Sequence, residues 1–449
     1  MIRRILLLAY FFPPIGGAGA QRNTKLARYL PDFGYELRVI TGPGTPGHRW
    51  APVDFTLSGE IEGPVDVHRI PGPEPPWRTG WAGRAERWLR LEWPWQRWWE
   101  TNAVQLARAV GQDVDLVYCS LAPFATARAA ATISKVLRKP LVLDLEDPWA
   151  LDEMMAYETG LHRRLELRDM QRALSAADAI VMNTPEAERR LVATFPELRA
   201  KRITSIVNGY DAADFEGTVP ERTDRVLRIV HTGSLHASAQ DRSAIRRRVL
   251  GGTMGRVHTR SRSLLYLMQA LSELIAERPE VAERIEVHLA GRLTASDRAL
   301  IDKSPLIREH GFLPHLDTIA LIRSADLLFL PMHDVAPGQR VAIVPCKTYE
   351  YLGSDRPILA AVPDGDARDF LAEAGTAELT RPTDVGAMKA AVLRAISRVE
   401  RGREPPRANP LLLRQLERAS LTADLADFLE SLLERRTEDA SSRVHEAVE

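Results

Sequence analysis

The stretch Val344-Pro345-Cys346-Lys347-Thr348-Tyr349-Glu350-Tyr351 sets an ammonium and a carboxylate one helical turn apart. A glutamate on a short helix can accept two hydrogen bonds from a ribose diol, and a lysine one turn earlier can meet a phosphate. The same spacing also suits a surface ion pair worth only about 0.2–0.5 kcal/mol. Glycines supply a second kind of chemistry. Phe12-Pro13-Pro14-Ile15-Gly16-Gly17-Ala18-Gly19 joins an apolar run to a helical pattern, and Ile229-Val230-His231-Thr232-Gly233 opens a second such series. Glycine lets backbone approach a ligand closely, and a helix start offers N–H groups to a phosphate. The first loop is neither a dinucleotide fingerprint, because position 22 is Arg22, nor a P-loop, because no Gly-Lys-Ser/Thr follows. Glycine equally serves a tight strand–helix turn. Asp144 and Asp147 could orient an acceptor hydroxyl, or could form a cap or a salt bridge. Asp113/Asp115 and Asp364/Asp366 have the Asp-x-Asp spacing that can hold a divalent cation on a diphosphate. Both pairs fall in turn or cap contexts, and no metal is expected.

These residues need elements to position them. Short apolar runs alternate with amphipathic stretches, the pattern of parallel sheets covered on both faces. Strands are expected at Arg4–Tyr10, Glu36–Thr41, Val65–Ile70, Val114–Ser120, Pro140–Leu145, Ala179–Asn183 and Ile203–Val207. A polar linker, 214–225, separates them from a second series at Leu227–His231, Ile285–Ala290, Ala325–Leu330, Pro357–Ala361 and Ala377–Leu379. The expected organisation is a first α/β lobe over 1–213 and a second over 226–405. A C-terminal helix over 406–434 and a disordered polar tail over 435–449 complete it. In such lobes ligands sit at the carboxyl ends of the strands.

Composition narrows the function. The 449 residues carry 60 Lys+Arg against 60 Asp+Glu, so no global positive charge favours nucleic acid. Two cysteines, Cys119 and Cys346, exclude a disulfide framework and fit a reducing cytoplasm. The apolar run Ile5–Phe12 is too short to span a bilayer, which takes about 20 residues, and reads as a buried first strand.

Two segments are unusual. Eight of the nine tryptophans lie between Trp50 and Trp99, and Trp81, Trp88 and Trp95 recur at seven-residue spacing among arginines. The stretch 77–99 is either a helix face packed on its own lobe or a membrane-surface site for a lipid-linked acceptor. Pro94 would interrupt one long helix. The segment 237–262 holds seven arginines against Asp241 alone, with Gly251-Gly252 and Gly255. It is either a solvated loop or a mobile anion-binding loop.

Together these pieces resemble the retaining glycosyltransferases of family 4. Phe12-Pro13-Pro14…Gly16-Gly17 with Leu26-Ala27-Arg28-Tyr29-Leu30 is similar to the family's first strand, loop and helix. Leu143-Asp144-Leu145-Glu146-Asp147-Pro148-Trp149 resembles a subgroup's Asp-Leu-Arg-Asp-Pro-Trp motif, with Glu146 in place of Arg. Val207-Asn208-Gly209-Tyr210-Asp211…Phe215, His231-Thr232-Gly233-Ser234-Leu235 and Gly311-Phe312-Leu313…Ala325-Asp326-Leu327…Pro331 follow in the family's order. The resemblance implies the GT-B fold: two Rossmann-like doubly wound lobes facing a cleft, with a C-terminal helix. It implies transfer of a sugar from a UDP- or GDP-sugar to a lipid-linked or saccharide acceptor, with retention and without metal or other cofactor. The setting implied is cell-surface polysaccharide or glycolipid assembly in the cytoplasm or at the inner face of the cell membrane.

The resemblance also assigns residues. Glu350 would hold the donor ribose, with Tyr349, Gly16, Gly17, Gly233 and Arg260 also at the nucleotide sugar. Arg262, Lys347 and Asp147 would carry the chemistry, Arg262 being the better match to the family's basic residue and Arg260 its rival. The family's other glutamate falls at Ala342, which has no carboxylate. A nucleotide-sugar epimerase of the same architecture and a non-catalytic nucleotide-binding scaffold are the alternatives.

Overall fold

A computed structural model describes residues 2–44, 53–61, 63–76, 79–217, 224–236, 257–302 and 304–446. Trp50, Trp77 and most of the basic segment, 237–256, lie outside the described residues. The chain forms two units. The first comprises Met1–Asp152, Gly160–Val207 and Arg418–Glu449; the second comprises Glu153–Thr159 and Asn208–Glu417.

Among the described residues the first unit holds seven strands: β1 (Arg3–Leu8), β2 (Tyr35–Thr41), β3 (Val65–Arg69), β4 (Leu116–Ser120), β5 (Leu141–Leu145), β6 (Ala179–Met182) and β7 (Arg202–Ser205). They pair in parallel in the order β3-β2-β1-β4-β5-β6-β7. Strands β4 and β5 are buried along their whole length, which explains their unbroken apolar sequences. The second unit holds β8 (Leu227–Thr232), β9 (Ile285–Ala290), β10 (Ile307–Gly311), β11 (Leu327–Pro331), β12 (Ile358–Ala361) and β13 (Ala377–Thr380). Their parallel order is β10-β9-β8-β11-β12-β13. Each unit is therefore Rossmann-like. The strand order reverses between β1 and β4 in one and between β8 and β11 in the other, the points where such sheets take ligands.

Three boundaries differ from expectation. Residues 208–217 pack on the second unit rather than linking to it. His315 Nε2 lies 2.7 Å from Asp214 Oδ2, Tyr210 N–H donates to Leu416 O at 3.0 Å, and Arg323 donates to Glu216 O. The C-terminal helix is two helices, Pro410–Leu416 and Arg418–Glu446, with Glu417 extended between them. The second belongs with the first unit. Arg3 pairs with Glu430 at 2.9 Å, and the Tyr35 hydroxyl donates to Ala426 O at 3.2 Å. The helix also runs through 435–446, where a disordered tail was expected. That stretch has neither proline nor glycine to stop it.

One buried pair ties the first unit together. Arg22, from the helix Ala18–Tyr29, grips Asp144 of β5 with two hydrogen bonds of 2.8 and 2.9 Å. It also donates to Ile206 O and Val207 O beyond β7, while the Tyr118 hydroxyl of β4 donates to Asp144 at 2.8 Å. Asp144 is fully buried, so of the roles open to it the salt bridge is the one it fills. Removing one partner of a buried pair strands the other charge. Asp144→Ala should lower the unfolding free energy by about 3–5 kcal/mol in urea denaturation, and the exposed Asp147→Ala far less. Equal small losses would show that the pair does not organise the unit.

Candidate functional site

In the second unit, the carboxyl ends of β8 and β11 and the start of the helix Cys346–Gly353 converge. Beyond β8, Gly233 (φ +85°) and Gly291 (φ +141°) cross so closely that a Cβ on Gly291 would lie 2.4 Å from Gly233 O. A Cβ on Gly233 would lie 2.9 Å from Lys347 Nζ, so the ammonium rests against bare backbone. Thr232 N–H donates to the buried Tyr351 hydroxyl at 2.9 Å, fixing the helix to the strand end.

The cations here are crowded. His231 Nδ1 lies 2.9 Å from Phe329 O. A carbonyl only accepts, so Nδ1 carries the proton and Nε2 is the acceptor, 3.4 Å from Lys347 Nζ. Burial first, then the Lys347 charge, holds the His231 imidazole well below its usual range, so it is neutral. Burial, then Arg262, brings Lys347 down to about 7, with Glu350 pulling the other way. Arg262 is held by its turn: its carbonyl accepts from His236 N–H at 2.7 Å, and Asp334 N–H donates to the Ser261 hydroxyl at 2.7 Å. Arg262 thus sits close enough to lower His231, Lys347 and His333 alike, whereas Arg260 is exposed.

Glu350 shares the Lys347 face of the helix and is nearly buried, with Oε1 3.9 Å from His315 Nδ1. Tyr349 does not join them. Its ring is fully buried against Phe370, with centroids 6.1 Å apart. Two residues from Lys347 on a helix of 3.6 per turn, it points to the opposite side.

Two residues that the sequence did not single out lie at the same sheet end. His333, just past β11, is 1% exposed, and neither ring nitrogen reaches a hydrogen-bonding partner among the described residues. Burial lowers its pKa, so the ring is neutral. Glu153 Oε1 stands 3.8 Å from His333 Nε2 and accepts from Ala342 N–H at 3.2 Å. A carboxylate thus reaches the position of Ala342 from a remote part of the sequence.

In the first unit, Gly17 (φ +91°) begins the helix Ala18–Tyr29, and Gly16 is buried beside it. Glu146, just beyond β5, accepts from Ser120 and from Asn23 Nδ2 (3.2 Å). Asn23 in turn donates to Phe11 O and Gly19 O. Burial, with Asp144 adding to it against the Ser120 hydrogen bond, raises Glu146 to about 8. The strand end therefore presents a neutral carboxylic acid, able to donate or accept. Asp147, next in sequence, is exposed. The Asp-x-Asp carboxylates are engaged by arginines: Asp113 by Arg4 and Arg38, Asp364 by Arg381, and Asp366 by Arg340.

The tryptophan segment divides. Helices Gly80–Trp88 and Pro94–Val110 are separate, with Pro94 opening the second. Trp95 and Trp99 are buried, edge-on to Tyr10, while Trp81 and Trp88 are 80% and 55% exposed. No helix among the described residues is long and apolar enough to cross a membrane.

Two Rossmann-like sheets with a returning C-terminal helix define a GT-B fold. Sucrose-phosphate synthase of Thermosynechococcus elongatus shares it with a TM-score of 0.57 at 14% identity, 99% of each chain being covered. The trehalose 6-phosphate synthase of Burkholderia multivorans does so at 0.59 and 14%, over 97% of this chain and 100% of its own. HepE of Anabaena, in complex with UDP and glucose, does so at 0.55 and 16%, over 96% and 100%. Residues 16–214 match the model of Glycosyltransferase Family 4. Among curated proteins none is similar enough to be matched.

The Glu146 environment has a pH signature. Its folded value, about 8, exceeds the ordinary 4.5, so between these limits the folded chain binds more protons than the unfolded one. The stability it confers is complete below about pH 4.5 and is lost as pH rises through about 8. Melting of wild type and Glu146→Gln should therefore diverge with rising pH, the variant becoming relatively more stable. Parallel curves between about pH 5 and 9 would refute this environment.

Proposed function

We propose that this chain is a retaining glycosyltransferase moving a sugar from a UDP- or GDP-sugar to an acceptor hydroxyl. The observation that carries the reading is the cation cluster at the β8 end. Lys347 and Arg262 stand against a neutral His231 and backbone opened by Gly233, a site suited to a diphosphate. The family match over residues 16–214 and the shared fold of a protein solved with UDP and glucose support it. The matches at Asp144–Trp149 and Lys347–Tyr351 favour the subgroup with Asp-Leu-Arg-Asp-Pro-Trp and Lys-x-Tyr-Glu-Tyr motifs.

The chemistry follows from charge. The bond from the sugar's anomeric carbon to the diphosphate breaks, and negative charge grows on the departing oxygen. Lys347 and Arg262, already in place, stabilise that charge. The acceptor oxygen bonds to the same face of the carbon, and its proton passes to the departing phosphate. This needs no metal. Glu350 takes the donor ribose. In the first unit Asp147 and the loop Gly16-Gly17 serve the substrates, the acceptor being a saccharide or a lipid-linked one. Work on cell-surface polysaccharide or glycolipid at the cytoplasmic face of the membrane fits the exposed Trp81 and Trp88, flanked by Leu89 and Leu91, which are also exposed.

Calorimetry against UDP and GDP, then product analysis with their sugars, tests the reading. Binding of neither nucleotide at millimolar concentration would sink it, and epimerised donor without acceptor would point to an epimerase. Lys347→Met should weaken nucleotide binding by about 10- to 100-fold, the scale of a lost charged hydrogen bond. A bound diphosphate raises the Lys347 pKa from about 7, so wild type takes up protons on binding above that pH and its affinity falls as pH rises. Repeating the titration at about pH 8 in buffers of different ionisation enthalpy reads this uptake, which Lys347→Met should reduce.

The membrane setting is tested separately. Trp81→Ser with Trp88→Ser should reduce sedimentation with anionic liposomes and leave nucleotide affinity unchanged. Wild-type protein that ignores the liposomes would remove the membrane from the proposal.

A further inference from the structure

His333 is a buried imidazole whose two nitrogens find no hydrogen-bonding partner among the described residues. Such groups cost stability unless something hydrogen-bonds to them. The nearest charged oxygen, Glu153 Oε1, is 3.8 Å from Nε2. That is too long for a direct hydrogen bond. It is, however, a separation that one hydroxyl can bridge, lying about 2.8 Å from both atoms. The hydroxyl would donate to the carboxylate and accept from the imidazole N–H.

The location is specific. His333 follows β11, which neighbours β8 at the reversal of strand order. Its loop is tied to the Arg262 turn through His258 N–H to Asp334 O and Asp334 N–H to the Ser261 hydroxyl, both 2.7 Å. Arg262 is therefore shared by the Lys347 cluster on one side and His333 on the other. Charge differs between the two sides. Lys347 adds a second cation to Arg262 on one, whereas the Glu153 carboxylate opposes an anion on the other. The Glu153 side suits a neutral polyol. Glu153 is itself held by Ala342 N–H, which orients its carboxylate.

We propose that Glu153 and His333 are specificity-determining residues that grip one hydroxyl of the sugar being transferred. This rests on the glycosyltransferase reading above. The segment Glu153–Thr159, grouped with the second unit although its flanking residues belong to the first, then has a role: it delivers a carboxylate to the sugar.

The test compares nucleotide with sugar nucleotide. Wild type, Glu153→Gln and His333→Phe are titrated by calorimetry with UDP, UDP-glucose, GDP and GDP-mannose. The expected result is that both variants bind the preferred nucleotide within about twofold of wild type but lose at least tenfold for its sugar conjugate. Deoxy-sugar analogues of the preferred donor should contain one that wild type binds as weakly as the variants bind the full sugar. The variants should not distinguish that analogue from the full sugar. If both variants keep the wild-type ratio of sugar nucleotide to nucleotide affinity, the pair holds only water and the proposal is overturned. If wild type binds no nucleotide at all, the glycosyltransferase reading itself fails, a different outcome. Should His333→Phe not fold, Glu153→Gln and His333→Gln make the same comparison.

Discussion

Two cations held close together, Lys347 and Arg262, set the character of the second unit. Lys347 is brought to about 7 by burial and by Arg262, and Glu350 offsets only part of this. The neighbouring imidazole cannot become a counter-ion. Its Nδ1 proton is committed to Phe329 O, leaving a lone pair toward the ammonium. Much of the local backbone serves this arrangement. Gly233 and Gly291 remove side chains where the loops cross, and Tyr351 fastens the lysine's helix to Thr232. The folded chain thus carries an electrostatic cost that an anion would offset, and preorganised positive charge is what diphosphate departure needs.

The first unit has the same kind of sheet and the opposite electrostatics. At its reversal of strand order the buried cation, Arg22, is saturated: Asp144 takes two hydrogen bonds and the carbonyls of Ile206 and Val207 take others. The acid beside it, Glu146, is raised to about 8 and is neutral at neutral pH. One topology thus yields a closed, charge-balanced edge and an open, cationic one. The difference lies in a few side chains at the strand ends, where fold does not dictate function.

Much of the scaffold was legible because alternation of apolar runs with amphipathic stretches is a direct consequence of parallel sheets buried on both faces. Twelve strands were readable this way. The thirteenth, β10, was not, because it is an edge strand whose sequence Ile-Arg-Glu-His-Gly is exposed after its first residue. Lys347 and Glu350 were legible as a pair because i,i+3 spacing is local. That Tyr349 lies apart from this pair was not legible, because which side of a short helix faces the core depends on Phe370, a contact in another helix. The seven-residue tryptophan spacing suggested one face, but Pro94 separates two helices with different neighbours, so Trp95 went inside and Trp81 outside.

Glu153 marks the limit of reading by position. A local motif needs its carboxylate at a fixed offset, and at Ala342 there is none. Side chains, however, act where their atoms lie. A loop leaving β5 brings a carboxylate to the Ala342 amide across a sequence separation of 189 residues. No spacing rule could predict this, since it depends on where the chain crosses rather than on how it repeats. His333 was overlooked for a related reason: a single histidine after an apolar strand carries no pattern. Its significance appears only when burial is known together with the lack, among the described residues, of a hydrogen-bonding partner for either nitrogen. A buried, neutral imidazole at the end of a sheet is costly to retain for packing alone, where an apolar residue of similar size would lose no hydrogen bonds. Its place beside the Glu153 carboxylate is what a hydroxyl-binding pair would require.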